Sequence, residues 1–221
     1  MTVALRPSAA ERWLACPASA RFPPQPEDSN EYADEGSCAH VVAAKALQSK
    51  DPERTVWGAV GSRVAIAEHR TYEFREDMAE PVVAYCRAAV THAQAVGAET
   101  WQVEQTVPIG GITGEFGATG TADFVAAGKN TLLVMDLKFG RGVRVSARGN
   151  PQLALYVAGV LEGLLPPAVA ARMKYVALGV SQPRVALEPE VWTVSVPEFR
   201  ALVAQLRVGA ERALRHPDPP Y

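Results

Sequence analysis

"TLLVMDLKF", residues 131 to 139, decides how this chain is read. Thr131 to Met135 is an unbroken apolar or β-branched run, the pattern of a strand buried on both faces of a sheet. Asp136 and Lys138 then carry opposite charges into the same environment. Side chains alternate along a strand, so Asp136 and Lys138 share one face and Leu137 takes the other. A second strand, GTADFVAA (120–127), precedes it across the turn AGKN and carries Asp123, 136 − 123 = 13 residues upstream. So short a connection brings both carboxylates to one end of the sheet. Neighbouring carboxylates repel, and one must protonate unless a cation separates them. A hard divalent cation resolves that conflict through oxygen ligands, and Lys138 is placed to orient a water or meet a phosphate.

Acid-x-lysine spacing alone more readily describes a structural ion pair. Two further features favour a site. Only five of the 22 basic residues are lysine, yet one stands at the end of an apolar strand, where a lysine can lose its proton and an arginine cannot. From Leu137 to Leu161 there is no acidic residue, while Lys138, Arg141, Arg144 and Arg148 all fall there. A local basic patch can steer a polyanion to one place, although the net charge of −2 marks no generally basic surface.

Working outward, Ser8 to Glu11 reads as a capping box opening a short helix from Ala9 to about Cys16, which Pro17 stops. RFPPQPEDSN (21–30) is a proline-rich loop. Helical periodicity follows from Glu31 to about Gln48, over 59–70 beyond a loop at Asp51-Pro52, and strongly from Glu76 to Ala95. Strands occupy 100–107, 120–127 and 131–139. Asn150 and Pro151 start a helix as N-cap and first residue. KYVALGVSQPR and VWTVSV read as two more strands, PEFRALVAQLRVGAERALR as an amphipathic helix, and HPDPPY as a tail. This order predicts an α/β fold: a mixed central sheet flanked by helices, with an N-terminal helical part (1–98) packed on the sheet-bearing core (99–221) as one compact unit.

Cys16, Cys38 and Cys86 are odd in number and widely spaced, which suits a reducing compartment. The start, MTVALRPSAAERWLACP, places charges inside any apolar stretch, and no run approaches the roughly 20 residues a membrane span needs. A cytoplasmic protein without membrane association is expected.

The motif series resembles the PD-(D/E)XK nuclease superfamily, and its RecB-like branch most closely. Gly-Thr-Ala-Asp123 matches G-x-x-D, Asp136-Leu137-Lys138 matches D/E-x-K, and Gln152 with Tyr156 matches Q-x-x-x-Y. Upstream, S-x-x-x-R-W-L-x-C-P (8–17) and E-G-S-C-A-H (35–40) also fit that branch, in its small phage-encoded form. The resemblance covers residues 8 to about 180 and implies a restriction-endonuclease-like core. It implies that Asp123 and Asp136 are metal carboxylates, that the Leu137 carbonyl adds an oxygen, and that His40 supplies an imidazole. The cofactor is then Mg²⁺ or Mn²⁺. Lys138 would position the attacking water, and Gln152 and Tyr156, one helical turn apart, would reach the nucleic-acid backbone. The implied function is a metal-dependent DNA nuclease, an exonuclease of phage type serving recombination or replication. Implied partners are DNA, a single-strand annealing or single-strand-binding protein, and a second copy of the chain.

Each residue also has a plainer reading. His40 can be an ordinary half-buried helix histidine, and Glu35 can merely complement the helix dipole. Tyr156 can be core, Gln152 a solvated residue, and Arg141, Arg144 and Arg148 scattered surface charges. Glu104 reads by default as exposed. With no cysteine beyond Cys86, four thiolates cannot be assembled, so no iron–sulfur cluster is expected. Two rival functions remain: a catalytically inactive nucleic-acid-binding scaffold of the same fold, and an unrelated zinc protein using Cys16, Cys38 and His40.

Overall fold

The computed structural model describes residues 5–22 and 31–215; most of the proline-rich loop and the HPDPPY tail lie outside them. Helices α1 (Ala10–Ala15), α2 (Glu31–Leu47) and α3 (Pro52–Gly58) come first, then a hairpin of β1 (Arg63–Ala67) and β2 (Arg70–Glu73). Helix α4 (Glu76–Ala95) leads into β3 (Gln102–Pro108), the one-turn α5 (Gly110–Thr113), β4 (Thr119–Ala127) and β5 (Thr131–Leu137). The chain closes with α6 (Pro151–Gly159), α7 (Pro167–Ala170), β6 (Tyr175–Ser181), β7 (Glu190–Ser195) and α8 (Val196–Arg215). Five strands form one sheet in the order β3-β4-β5-β6-β7. Only β5 and β6 run parallel; the other neighbours are antiparallel. A parallel pair needs a crossover, and α6 supplies it. The mixed sheet flanked by helices is therefore as expected.

Strand β5 is the centre, with all seven residues buried. Leu132 and Val134 pack into a cluster with α1, α6 and α8, whereas Leu133, Met135 and Leu137 pack into a second cluster with α2 and α4. By that alternation Asp136 belongs to the α6 side. Both faces of the strand are thus covered, which is why it carries no polar alternation. Trp13 is fully buried, and its indole N–H donates to the Arg6 carbonyl at 3.2 Å, so it anchors α1 as core.

Two local expectations are corrected. Residues 59–70 are not a helix. Helix α3 starts at Pro52, capped by the Asp51 side chain, and ends at Gly58; then Gly61 takes a left-handed φ of 77° and β1–β2 begins. Val64 is buried and Ile66 half-buried in the α2/α4 cluster, so a two-residue period outcompeted the helical one. The capping box does not form. Pro7–Ala9 is already a 3-10 turn, so Ser8 sits inside it and α1 starts after Ala9 without a side-chain cap. The helix after Asn150 keeps its cap, with the Asn150 side chain accepting from the Leu153 N–H at 3.1 Å. Its last stretch, Val160–Leu164, widens into a π-helical turn. Among the described residues, no helix is long and apolar enough to cross a membrane.

Leu133 is fully buried at the centre of the sheet. Leu133→Ala should destabilise the fold by about 2–5 kcal/mol through lost burial and a residual cavity. A denaturant titration that finds less than about 1 kcal/mol would contradict this packing.

Candidate metal centre

Strand β3 changes face in mid-course. Val103 packs against the α2/α4 cluster and Val107 inside the α1/α6/α8 cluster, although unbroken alternation would give both the same face. On β4, Ala122 and Phe124 are split in the same way. The pairing of the two strands is regular at Val103↔Phe124 and at Gln105↔Ala122 but skips the position between, Glu104 and Asp123. Glu104 adopts φ of 51°, in the left-handed region. A non-glycine residue held there costs about 1–3 kcal/mol, and such strain gathers at functional sites. The kink turns two carboxylates toward the seam between the helical layers.

There the His40 imidazole of α2 meets them. One ligand atom from each of His40, Glu104 and Asp123 lies within 4.8 Å of the others, the geometry of a metal-binding group. His40 Nδ1 stands 3.4 Å from Asp123 Oδ1. The other Asp123 oxygen, Oδ2, accepts the Leu137 N–H at 2.7 Å, which fixes the carboxylate against the end of β5. Nitrogen and carboxylate donors in this number suit a divalent ion. The structure leaves the identity of the metal open.

Asp136 is on β5 directly after Met135, which pairs with Phe124, itself next to Asp123. Its carboxylate is buried, and it lies outside the converging trio of ligand atoms. Lys138 Nζ approaches Asp136 Oδ2 at 2.9 Å and donates to Gln152 Oε1 at 2.9 Å. Gln152 Nε2 donates to Asp136 Oδ1 at 3.1 Å and to the Tyr156 hydroxyl at 3.2 Å. Gln152 therefore uses its carbonyl and both amide hydrogens within the site. Gln152 and Tyr156 sit one turn apart on α6, and Tyr156 is largely buried while remaining bonded to the site. Four sequence-predicted residues, Asp136, Lys138, Gln152 and Tyr156, thus form one hydrogen-bonded chain beside the trio. Leu137 joins through its N–H, with its side chain in the core.

Electrostatics follow from burial beside several acids. Burial, followed by the Asp123 charge, pushes Asp136 up to about 6, with Lys138 opposing. Burial works against a charged His40, but its bond to Asp123 and the nearby carboxylates outweigh that and raise it to about 9. Partial desolvation and the Asp123 charge raise Glu104. Burial pushes Tyr156 up to about 12. Both Asp136 and His40 hold protons more tightly folded than unfolded. In the metal-free protein their stabilisation is full below about 3.8 and 6.5 and is lost as pH rises through about 6 and 9 respectively.

Three sets of residues fall elsewhere. Glu35 is buried in ion pairs with Arg184 at 2.8 Å and Arg75 at 2.5 Å, so it braces α2 and stands outside the metal group. Arg141 pairs with Asp77 at 3.4 Å and Arg144 with Glu190 at 3.7 Å, which partly neutralises the expected basic patch; Arg148 is exposed. Cys16 is exposed and Cys38 buried, and neither joins a metal group among the described residues. Burial also lifts the Cys38 thiol to about 11, away from the thiolate that zinc requires. Glu104 is exposed, as its sequence suggested, yet it converges on the site. Nothing in the strand pattern around it announced the left-handed turn.

Residues 3–219 match a family described as "Protein of unknown function (DUF2800)". The chain belongs to that family.

His40 must shed its proton to coordinate a metal, and its pKa is about 9. Loading Mn²⁺ at pH 7 should therefore release about one proton, and affinity should climb with pH until about 9. Calorimetric titrations in buffers of different ionisation enthalpy read this directly; identical heats in all buffers would remove His40 from the ligand set.

Proposed function

We propose that the chain is a metal-dependent DNA nuclease of the PD-(D/E)XK type, RecB-like branch. The observation that carries the reading is the convergence of His40, Glu104 and Asp123 beside the Asp136–Lys138–Gln152–Tyr156 chain. The residues fit a hard or borderline divalent ion, Mg²⁺ or Mn²⁺. His40, Glu104 and Asp123 would hold it, while Asp136 anchors Lys138 beside them. The ion supplies Lewis-acid polarisation of a phosphoryl oxygen and neutralises charge around the phosphate.

The chain's own residues do the rest. The Lys138 ammonium is held in place by Asp136 and Gln152 and remains 30% exposed, so it can face a phosphate while anchored. There it stabilises negative charge and orients the attacking water. Gln152 keeps Lys138 and Asp136 in register and ties them to Tyr156, whose hydroxyl extends the polar wall along α6. Arg148 and the exposed Arg141 and Arg144 side chains add backbone contacts without sequence information. Action from strand ends, in phage-type recombination or replication with a single-strand annealing or binding protein, and self-association belong to this proposal. A cytoplasmic setting completes it, where Cys16, Cys38 and Cys86 stay reduced.

Lys138→Ala should lower Mn²⁺-dependent degradation of end-labelled linear DNA by about 10²–10³-fold. Asp136→Ala should abolish it, and circular dichroism should show both variants folded. Wild-type protein that leaves linear DNA, circular DNA and RNA intact with every divalent metal would sink the reading.

A further inference from the structure

Helix α2 carries His40 to the metal group, yet its apolar packing gives it little axial register against the strands it must meet. Its main neighbours are α3, α4 and the β1–β2 hairpin, and of the five-stranded sheet it meets chiefly β3. Its buried face is built largely of small side chains, Cys38, Ala39, Ala43 and Ala46, with Val42 and Leu47. Side chains that small raise shallow ridges, which fix the axial position of a helix weakly. A ligand set, by contrast, must be held to within about 0.5 Å. Something other than apolar packing has to set α2 against β3 and β4.

Two side chains from the sheet do so, one at each end of the helix. Leu47 is the last residue of α2, and its carbonyl is one of those a helix leaves without an internal partner. The Trp101 indole N–H donates to it at 3.0 Å. Trp101 stands directly before β3, and its ring lies 5.9 Å from the ring of Phe124, the neighbour of Asp123 on β4. At the other end, Glu35 accepts from Arg184 Nη1 at 2.8 Å. Arg184 comes from the connection between β6 and β7, is only 5% exposed, and donates its second Nη to Asp77 at 3.2 Å. Its guanidinium lies 4.2 Å over the Phe139 ring. Lys138, beside Phe139, donates its backbone N–H to the Ser181 carbonyl at 2.8 Å. Arg75 also reaches Glu35, but it caps α4 in the same helical layer as α2 and cannot set that layer against the sheet. A buried ion pair adds little net stability, because desolvation offsets the attraction. What the planar Arg184 fork fixes is geometry, since it meets both carboxylates in one arrangement. His40 lies five residues beyond Glu35 and seven before Leu47, so both pins act within about 11 Å of it along the helix.

We propose that Arg184 and Trp101 are positioning residues for the metal group. They pin the two ends of α2 to the sheet and so hold the His40 imidazole over Glu104 and Asp123, without touching the ion themselves. Loss of either pin leaves all three ligand side chains in the chain and alters only where the imidazole stands. The proposal rests on the metal centre and is independent of what that centre cleaves.

The test is Mn²⁺ binding to the full chain at pH 7, read from the electron paramagnetic resonance signal of the free ion, which follows weak binding as well as tight. Arg184→Lys keeps the charge, but a single ammonium cannot span Glu35 and Asp77. Trp101→Phe keeps an aromatic ring and loses the hydrogen bond. Each should weaken Mn²⁺ binding by about tenfold. In a His40→Ala background, where no imidazole remains to be placed, either change should alter affinity by less than about twofold. A purely structural role predicts the same loss in both backgrounds. Circular dichroism should show both variants folded. Trp101 is only partly buried, so its variant should keep the fold even if the Arg184 variant does not. Wild-type affinity in the folded variants, or losses that persist in the His40→Ala background, overturn the clamp. Wild-type protein that binds no Mn²⁺, or binds it equally well without His40, removes the metal group and the clamp with it. Pin-dependent Mn²⁺ binding in a protein that cuts no nucleic acid keeps the clamp and discards the nuclease reading.

Discussion

A carboxylate buried at the end of the central strand imposes most of the surrounding order. Asp136 is nearly inaccessible to water, and an ionised acid in such a place needs compensation worth several kcal/mol. Lys138 supplies the charge and Gln152 the hydrogen bond. Gln152 can do so only if α6 starts where it does, which the Asn150 cap and Pro151 secure. The same β5 terminus lends its Leu137 N–H to Asp123, so the two acids are held by one short piece of backbone. Around them, Arg184 stacks 4.2 Å from the Phe139 ring while it pairs with Glu35 of α2 and Asp77 of α4. The helix carrying His40 is thereby tied to the residue next to Lys138. Neighbouring charges that would destabilise an ordinary core are here satisfied one through another.

The second constraint is the kink in β3 and β4. A flat pair of strands would give each helical layer a separate set of side chains and keep them apart. The left-handed Glu104 breaks the alternation, so the seam between the layers opens at one point. His40 from one layer then meets Glu104 on β3 and Asp123 on β4, while Gln152 from the other reaches Asp136 at the end of β5. A histidine and two carboxylates brought to such a seam make a candidate cation site.

Legibility varied with the range of the interaction. Asp123, Asp136, Lys138, Gln152 and Tyr156 could be picked out because strand alternation and helical spacing fix their faces locally. The cap at Asn150 and the apolar run of β5 were equally local. The stretch 59–70 reads as helix because Ala59, Val60, Val64 and Ile66 satisfy a helical period as well as a strand period over so short a span. The glycine at 61 settled it. The arginine-rich segment had no acid within its own sequence, yet folding carried Asp77 and Glu190 to it from 64 and 46 residues away. Glu35 reads like a helix-opening acid and became a buried ion-pair partner because Arg184 arrives from 149 residues downstream.

The sequence by itself determined most of the elements, though not the hairpin at 63–73, and the identity of the polar residues carried into the sheet, because period and capping act within a few residues of chain. It also allowed Asp123 and Asp136 to share one end of the sheet, since a short turn joins their strands. Only the tertiary structure decided that Glu104 joins His40 and Asp123 while Asp136 stands behind them with Lys138. That choice depends on a single reversed backbone angle and on where α2 and α6 settle against the sheet. Those positions come from two apolar clusters spread over the whole chain, and no local pattern encodes a sum of that kind.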